Sequence, residues 1–169
     1  MNTYELHDKL IELQSLQCEV DAHVEIWKRE NITTALHEEF HEWYNTLELF
    51  KDWKKNRGKS KEVQLEELAD CLAFALSLLN DDKRNLSLMR CIFITKRMEN
   101  NSHQKGMLNE ISKGYLFAKR VINTVFVQES EMAIELILDI AMLYYSLEDL
   151  FEAYERKSKI NIQRQKENY

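Results

Sequence analysis

Apolar residues recur every three or four positions at the start of the chain, at Leu6, Leu10, Leu13, Leu16, Val20 and Val24, which predicts an amphipathic first helix continuing to Trp27. A second stripe of the same period, Leu36, Phe40, Trp43, Leu47 and Phe50, predicts a second helix, with caps on offer in residues 31–34. A basic hinge, KDWKKNRGKSK, follows around Gly58. Ser60 with Glu62 then opens a third helix through LEELADCLAFALSLLN, and residues 80–82 end it. Between 83 and 101 no period is clean, so a short helix plus loop is expected. Ser102 precedes a fourth helix through Ile111, Ala118, Val121, Ile122 and Val125. Ser130 and Glu131 start a fifth, apolar on several faces over 132–151. The tail, AYERKSKINIQRQKENY, is polar and basic.

Composition agrees with that pattern. The 169 residues hold no proline and three glycines, a usage that favours helix and leaves few tight turns for a sheet. The expectation is a single all-α domain over 1–169 with about five main helices. With 44% hydrophobic residues the chain can bury a core. Cys18, Cys71 and Cys91 are odd in number and widely spaced, as for reduced thiols of a cytoplasmic protein. No charged-then-apolar leader opens the chain, and the longest apolar run, 72–79, is too short to cross a bilayer, so no membrane partner is expected. A net charge of −6 argues against nucleic-acid binding.

That net charge conceals segregation. Residues 30–50 contain five acids (Glu30, Glu38, Glu39, Glu42, Glu48) and no lysine or arginine. Residues 62–82 contain six (Glu62, Glu66, Glu67, Asp70, Asp81, Asp82), again with none. Acids on a helix ordinarily form surface ion pairs within it. Here the partners are missing along both stretches, while the hinge between them holds Lys51, Lys54, Lys55, Arg57, Lys59 and Lys61.

Within the second helix, residues 35–43 read ALHEEFHEW. From His37 this is H-E-x-x-H, the zinc-protease signature; from Glu39 it is E-x-x-E, a hard-cation arrangement. A wheel of about 100° per residue decides between them. Glu39 lies about 60° and Glu42 about 120° from the apolar stripe on one flank, whereas His37 and His41 lie about 100° and 140° away on the other. No strand pattern supplies the sheet that a zinc protease needs, so the carboxylate reading is preferred. On the third helix Glu67 and Asp70 repeat the spacing, with Phe74 one heptad after Glu67. Two helices joined by a short hinge pack antiparallel and bring the two pairs together. Four crowded carboxylates need a cation among them, and oxygen ligands suit Mg²⁺ or Mn²⁺, whose usual chemistry is with phosphates. Lys157, Asn161, Arg164 and Gln165 would line one side of a C-terminal helix, with Tyr169 close behind, and could grip those phosphates.

The spacing Glu39, Glu42, then Glu67, Asp70 resembles the metal-binding signature of the all-α nucleotide pyrophosphohydrolases, the MazG-like superfamily. Within it, three further pieces are similar to the dimeric dUTPases of kinetoplastids, some bacteria and phages of Gram-positive hosts. LQCEVDAHV resembles that branch's uracil-side motif through Gln17 and Asp21. FKDWK puts Trp53 where the branch has a tryptophan near the base. The tail resembles its phosphate motif through Tyr154, Lys157, Asn161, Arg164, Gln165 and Tyr169, although Ser158 replaces a common asparagine, and Glu167 and Asn168 stand where a glycine is usual. The match runs from about Leu13 to Tyr169.

The resemblance implies a homodimer with a MazG-like helical bundle that hydrolyses dUTP and dUDP to dUMP, using Mg²⁺ held by Glu39, Glu42, Glu67 and Asp70 and a metal-bound water. Glu39 would orient that water or take its proton. Lys54, Lys157, Asn161, Arg164 and Tyr169 would contact phosphate, and Gln17, Asp21, Trp53 and Phe74 the base. It further implies the cytoplasm, that of the host if the chain is phage-encoded, and a variable segment at 83–101 whose counterpart in related phage enzymes lies near the site. Those relatives can bind a repressor of mobile genetic islands, which makes such a protein a candidate partner. Three alternatives stand beside this reading: a sister pyrophosphohydrolase with another base specificity, the zinc protease, and a helical regulator without activity.

Overall fold

The computed structural model describes residues 1–100 and 130–167, and among them are six helices and no strand. They are α1 (Thr3–Asp21), α2 (Arg29–Leu47), α3 (Lys61–Asp81), α4 (Leu88–Glu99), α5 (Ser130–Tyr144) and α6 (Leu147–Lys166). The all-α expectation therefore holds, and the six described helices come close to the five main ones expected. The fourth helix expected after Ser102 lies outside the described residues. None of the described helices is long and apolar enough to cross a membrane.

Four element boundaries differ from the sequence reading. α1 stops at Asp21 and not at Trp27, because the chain must turn to begin α2 at Arg29. The His23 ring bonds the Glu19 carbonyl (2.9 Å) at that end, and Val24 and Ile26 are left exposed. α2 begins two residues before the expected caps. It ends before Phe50, because Glu48 adopts a left-handed conformation (φ 53°) that terminates the helix. The long fifth helix is two: Ser146 caps α6, its hydroxyl accepting from Asp149 N–H (3.1 Å) while the Asp149 carboxylate accepts from Ser146 N–H (3.1 Å). This reciprocal box satisfies backbone donors that a continuous helix would have used internally.

α3 is the centre of the bundle and packs against α1, α2, α5 and α6. Leu65, Leu68, Leu72, Leu76 and Leu79 run along it, all buried, and Phe40 and Trp43 of α2 and Leu6, Leu10 and Leu13 of α1 close on them. Each such side chain contributes roughly 1.5–3 kcal/mol relative to exposure.

Its tightest neighbour is α2, antiparallel to it. Arg29 at the start of α2 pairs with Asp81 (2.6 Å) and Asp82 (3.0 Å) at the end of α3. At the other end Lys59 N–H bonds the Thr46 carbonyl (2.8 Å), closing the loop. Inside that loop the Glu48 carboxylate is buried and accepts from Lys51 (3.2 Å), Lys54 (2.6 Å) and the Gly58 N–H (3.2 Å). Those ammonium groups hold its pKa down to about 2. Gly58 has φ +88°, where a side chain would be strained. A second tie runs from Trp43 Nε1–H to the Tyr145 hydroxyl (3.2 Å), which donates to Gln64 Oε1 (2.6 Å). α2 and α3 are thus fixed at both ends, which sets the height at which their acidic residues meet.

Candidate metal centre

Midway along the α2–α3 pair, Glu39, Glu67 and Asp70 each offer a carboxylate oxygen, and these oxygens lie within 4.8 Å of one another. All three residues are half-buried. The reason is local: Phe40 and Trp43 are drawn fully into the core, which turns Glu39 to the rim of the interface, and Leu68 and Leu72 do the same for Glu67 and Asp70. Glu42 lies outside this trio and is exposed, in line with its larger angle from the apolar stripe. It still adds its field to that of the others.

Crowding and burial leave a chemical mark. The Glu39 carboxyl is pushed up from 4.5 to about 7 by burial first, then by Asp70, Glu42 and Glu67. Glu67 and Asp70 are also raised, chiefly by burial, with Lys157 opposing. The Cys71 thiol beside them is buried and driven well above its ordinary value, so it stays protonated. Three hard oxygen donors at this separation, with no thiolate or imidazole among them, suit Mg²⁺ or Mn²⁺. His37 and His41 take no part: among the described residues no metal-sized group includes them.

Lys157 of α6 reaches this cluster. Its ammonium bonds Asp70 Oδ2 and lies 3.4 Å from the Glu66 carbonyl. Asn161 and Arg164 follow Lys157 on the same helix, and Tyr169 lies outside the described residues. Lys54 is held by Glu48 in the α2–α3 loop, away from the carboxylates of the cluster.

Further along α3 a second polar group is buried. Gln17 spends both amide hydrogens inside the protein, on Asp21 Oδ1 (2.8 Å) and Ser77 Oγ (3.1 Å), and its Oε1 accepts from the Tyr154 hydroxyl (2.8 Å). Ser77 also donates to Asp21 Oδ1 (2.9 Å), and burial raises the Asp21 carboxyl. Among the described residues, the hydrogen bonds to Asp21 fall on Oδ1 and leave Oδ2 without a donor. Sequence reasoning missed Ser77, although a lone hydroxyl in the apolar run CLAFALSLLN was a signal. Phe74, half-buried, stands between the two polar groups on the α3 face carrying Glu67, Asp70 and Ser77. From Glu67 to Ser77 this face spans on the order of 15 Å.

Trp53 is placed elsewhere. It is 75% exposed in the α2–α3 loop, its edge against Phe50 (6.4 Å), which stacks on Tyr44 (5.9 Å). That aromatic ladder belongs to the Gln64 end of α3, roughly 20 Å of helix from Ser77. The structure brings Gln17, Asp21 and Ser77 together and does not bring Trp53 to them.

Two antiparallel helices that bring Glu39 against Glu67 and Asp70 define the class: an all-α protein built around a carboxylate cluster that could hold a metal ion. Comparison with models of protein families matches residues 5–169 to dUTPase. The chain belongs to the all-α dUTPase family, and its activity is that of a dUTP diphosphatase. Comparison with curated proteins finds no match.

Proposed function

We propose that this protein is a Mg²⁺-dependent homodimeric enzyme of the cytoplasm that hydrolyses dUTP to dUMP and pyrophosphate, and dUDP to dUMP and phosphate. The observation that carries the metal is the convergence of Glu39, Glu67 and Asp70 oxygens within 4.8 Å. A divalent ion held by them, with Glu42 at the edge, would offset phosphate charge and acidify a bound water.

The remaining work falls to side chains. Glu39, the most strongly perturbed carboxyl of the cluster, orients the attacking water or takes its proton. Asn161, Arg164 and Tyr169 hold the phosphates that leave, Lys157 joins them from the same helix, and Lys54 contributes on release from Glu48. In this reading Asp21 Oδ2 accepts from uracil N3–H and Phe74 packs on the ring, supported by the hydrogen bonds of Gln17 and Ser77 that orient the Asp21 carboxylate. The length of the α3 face supports this layout, since it matches the reach of an extended nucleotide from phosphates to base. Trp53 is assigned the base by resemblance alone.

The test is direct. Incubation with dUTP or dUDP and Mg²⁺ should release dUMP, EDTA should stop it, and Mn²⁺ should substitute. Turnover of dCTP or dTTP at the dUTP rate would overturn the base assignment, and turnover undiminished by EDTA would overturn the metal.

A further inference from the structure

The two helices that build the carboxylate cluster carry no lysine or arginine over 30–50 and 62–82. Among the described residues, a cation nevertheless stands in the cluster, and it comes from α6: the Lys157 ammonium bonds Asp70 Oδ2, one of the oxygens of the trio's residues, with the Glu66 carbonyl 3.4 Å away. This is not a loose surface contact. The side chains of Lys157 and Asp70 are 26% and 18% exposed, and Tyr154, one turn earlier, is anchored on Leu13 and Gln17.

We propose that Lys157 is the resting counter-ion of the cluster, and that a divalent cation enters only by displacing it. The proposal rests on the metal reading above. Its physical basis is mutual exclusion. Mg²⁺ sits roughly 2.1 Å from its carboxylate oxygens, so an ammonium bonded to the same Asp70 would lie in strongly repulsive contact with the ion. An oxygen filled by N–H is also withdrawn from coordination. Metal entry therefore breaks the Lys157–Asp70 pair, and the freed ammonium sits one turn before Asn161 and two before Arg164 on the same helix. Loading of the ion and rearrangement of the phosphate-facing side of α6 become one event. Without nucleotide to receive Lys157, the displacement is uphill and the site holds metal weakly.

Mn²⁺ binding to the nucleotide-free full chain, followed by electron paramagnetic resonance of the unbound ion, tests this without using activity. At about pH 8, where surface carboxylates are ionised, Lys157→Met and Lys157→Gln should bind Mn²⁺ about tenfold more tightly than wild type, the scale of one partly buried charge-assisted hydrogen bond. Lys157→Arg, which keeps the positive charge, should stay near wild type. Lys159→Met removes the same charge from an exposed neighbour and should leave affinity within about twofold. Melting curves give an independent readout: in EDTA the Met variant should melt below wild type, and Mn²⁺ should raise its melting point by more. Wild-type or weaker affinity in both Met and Gln variants overturns the proposal, as does an equal gain in Lys159→Met. If wild type and all variants fail to take up Mn²⁺, the metal reading itself fails, a different and recognisable result.

Discussion

Replacing Glu39 by glutamine removes one charge from the cluster while preserving shape. In the absence of metal, burial and three neighbouring acids hold this carboxyl at about 7 instead of 4.5. The sign follows from proton counting: between those two values the native state binds more protons than the unfolded chain, so stability falls as pH rises through the window. Above about 7 the whole penalty is present, and below about 4.5 it is gone. A difference of this size corresponds to roughly 3 kcal/mol, but the group is only half-buried and solvent screens it, so about 1–2 kcal/mol is expected. Glu39→Gln should therefore stabilise the metal-free protein by that amount at pH about 8.5, raising the melting temperature by roughly 2–8 °C, and by nothing at pH about 4.5. Turnover of dUTP with Mg²⁺ should fall on the order of 10²–10⁴-fold in the same variant. Urea unfolding in EDTA across this pH range measures the first effect. A glutamine variant less stable at high pH, or a gain independent of pH, would show that these carboxylates are not crowded and would remove the electrostatic reason for a cation.

Other consequences are equally open to measurement. Asp70→Asn should abolish Mn²⁺ binding in calorimetry and lower turnover at least as far as Glu39→Gln does. Tyr154→Phe should cost roughly 1–3 kcal/mol in urea unfolding, because Gln17 Oε1 and the Leu13 carbonyl lose a buried donor, and it should narrow the preference for dUTP over dCTP in kcat/KM. Between α4 and α5, Arg97 donates Nε–H to Asp139 (2.9 Å) and forms an ion pair with Glu135 (2.8 Å), and the Asp139 side chain, its carboxyl pushed up to about 6 by burial, is 9% exposed. Arg97→Ala should destabilise by about 3 kcal/mol at neutral pH, with much of the loss recovered in Arg97→Met combined with Asp139→Leu; an additive double variant would refute the pairing.

The α2–α3 pair was legible because one physical rule governed it. Leu36, Phe40, Trp43 and Leu47 had to face the core, and that alone fixed the side on which Glu39 would emerge. The missing basic partners along both helices were an equally local signal, though incomplete: Glu48, Asp70, Asp81 and Asp82 draw cations from the loop, α6 and Arg29. What could not be read were contacts between distant segments and backbone conformations against type. Lys157 meets Asp70 across 87 positions, which no periodicity encodes. The end of α2 depends on a left-handed glutamate, its carboxylate held by Lys51, Lys54 and the Gly58 N–H, where sequence rules look for glycine. The break before α6 was written in Ser146 and Asp149, but the apolar run around it drew attention to helix continuity instead.

The pair of helices holding the carboxylate cluster also has an order of birth. Glu39 and Asp70 leave the ribosome well ahead of Lys157, so a nascent hairpin clasped by Glu48 can gather its acids before their lysine exists. During that interval Asp70 is without the α6 ammonium that later bonds it. For this fold the lysine arrives last, as a lodger in a place its acids have already prepared.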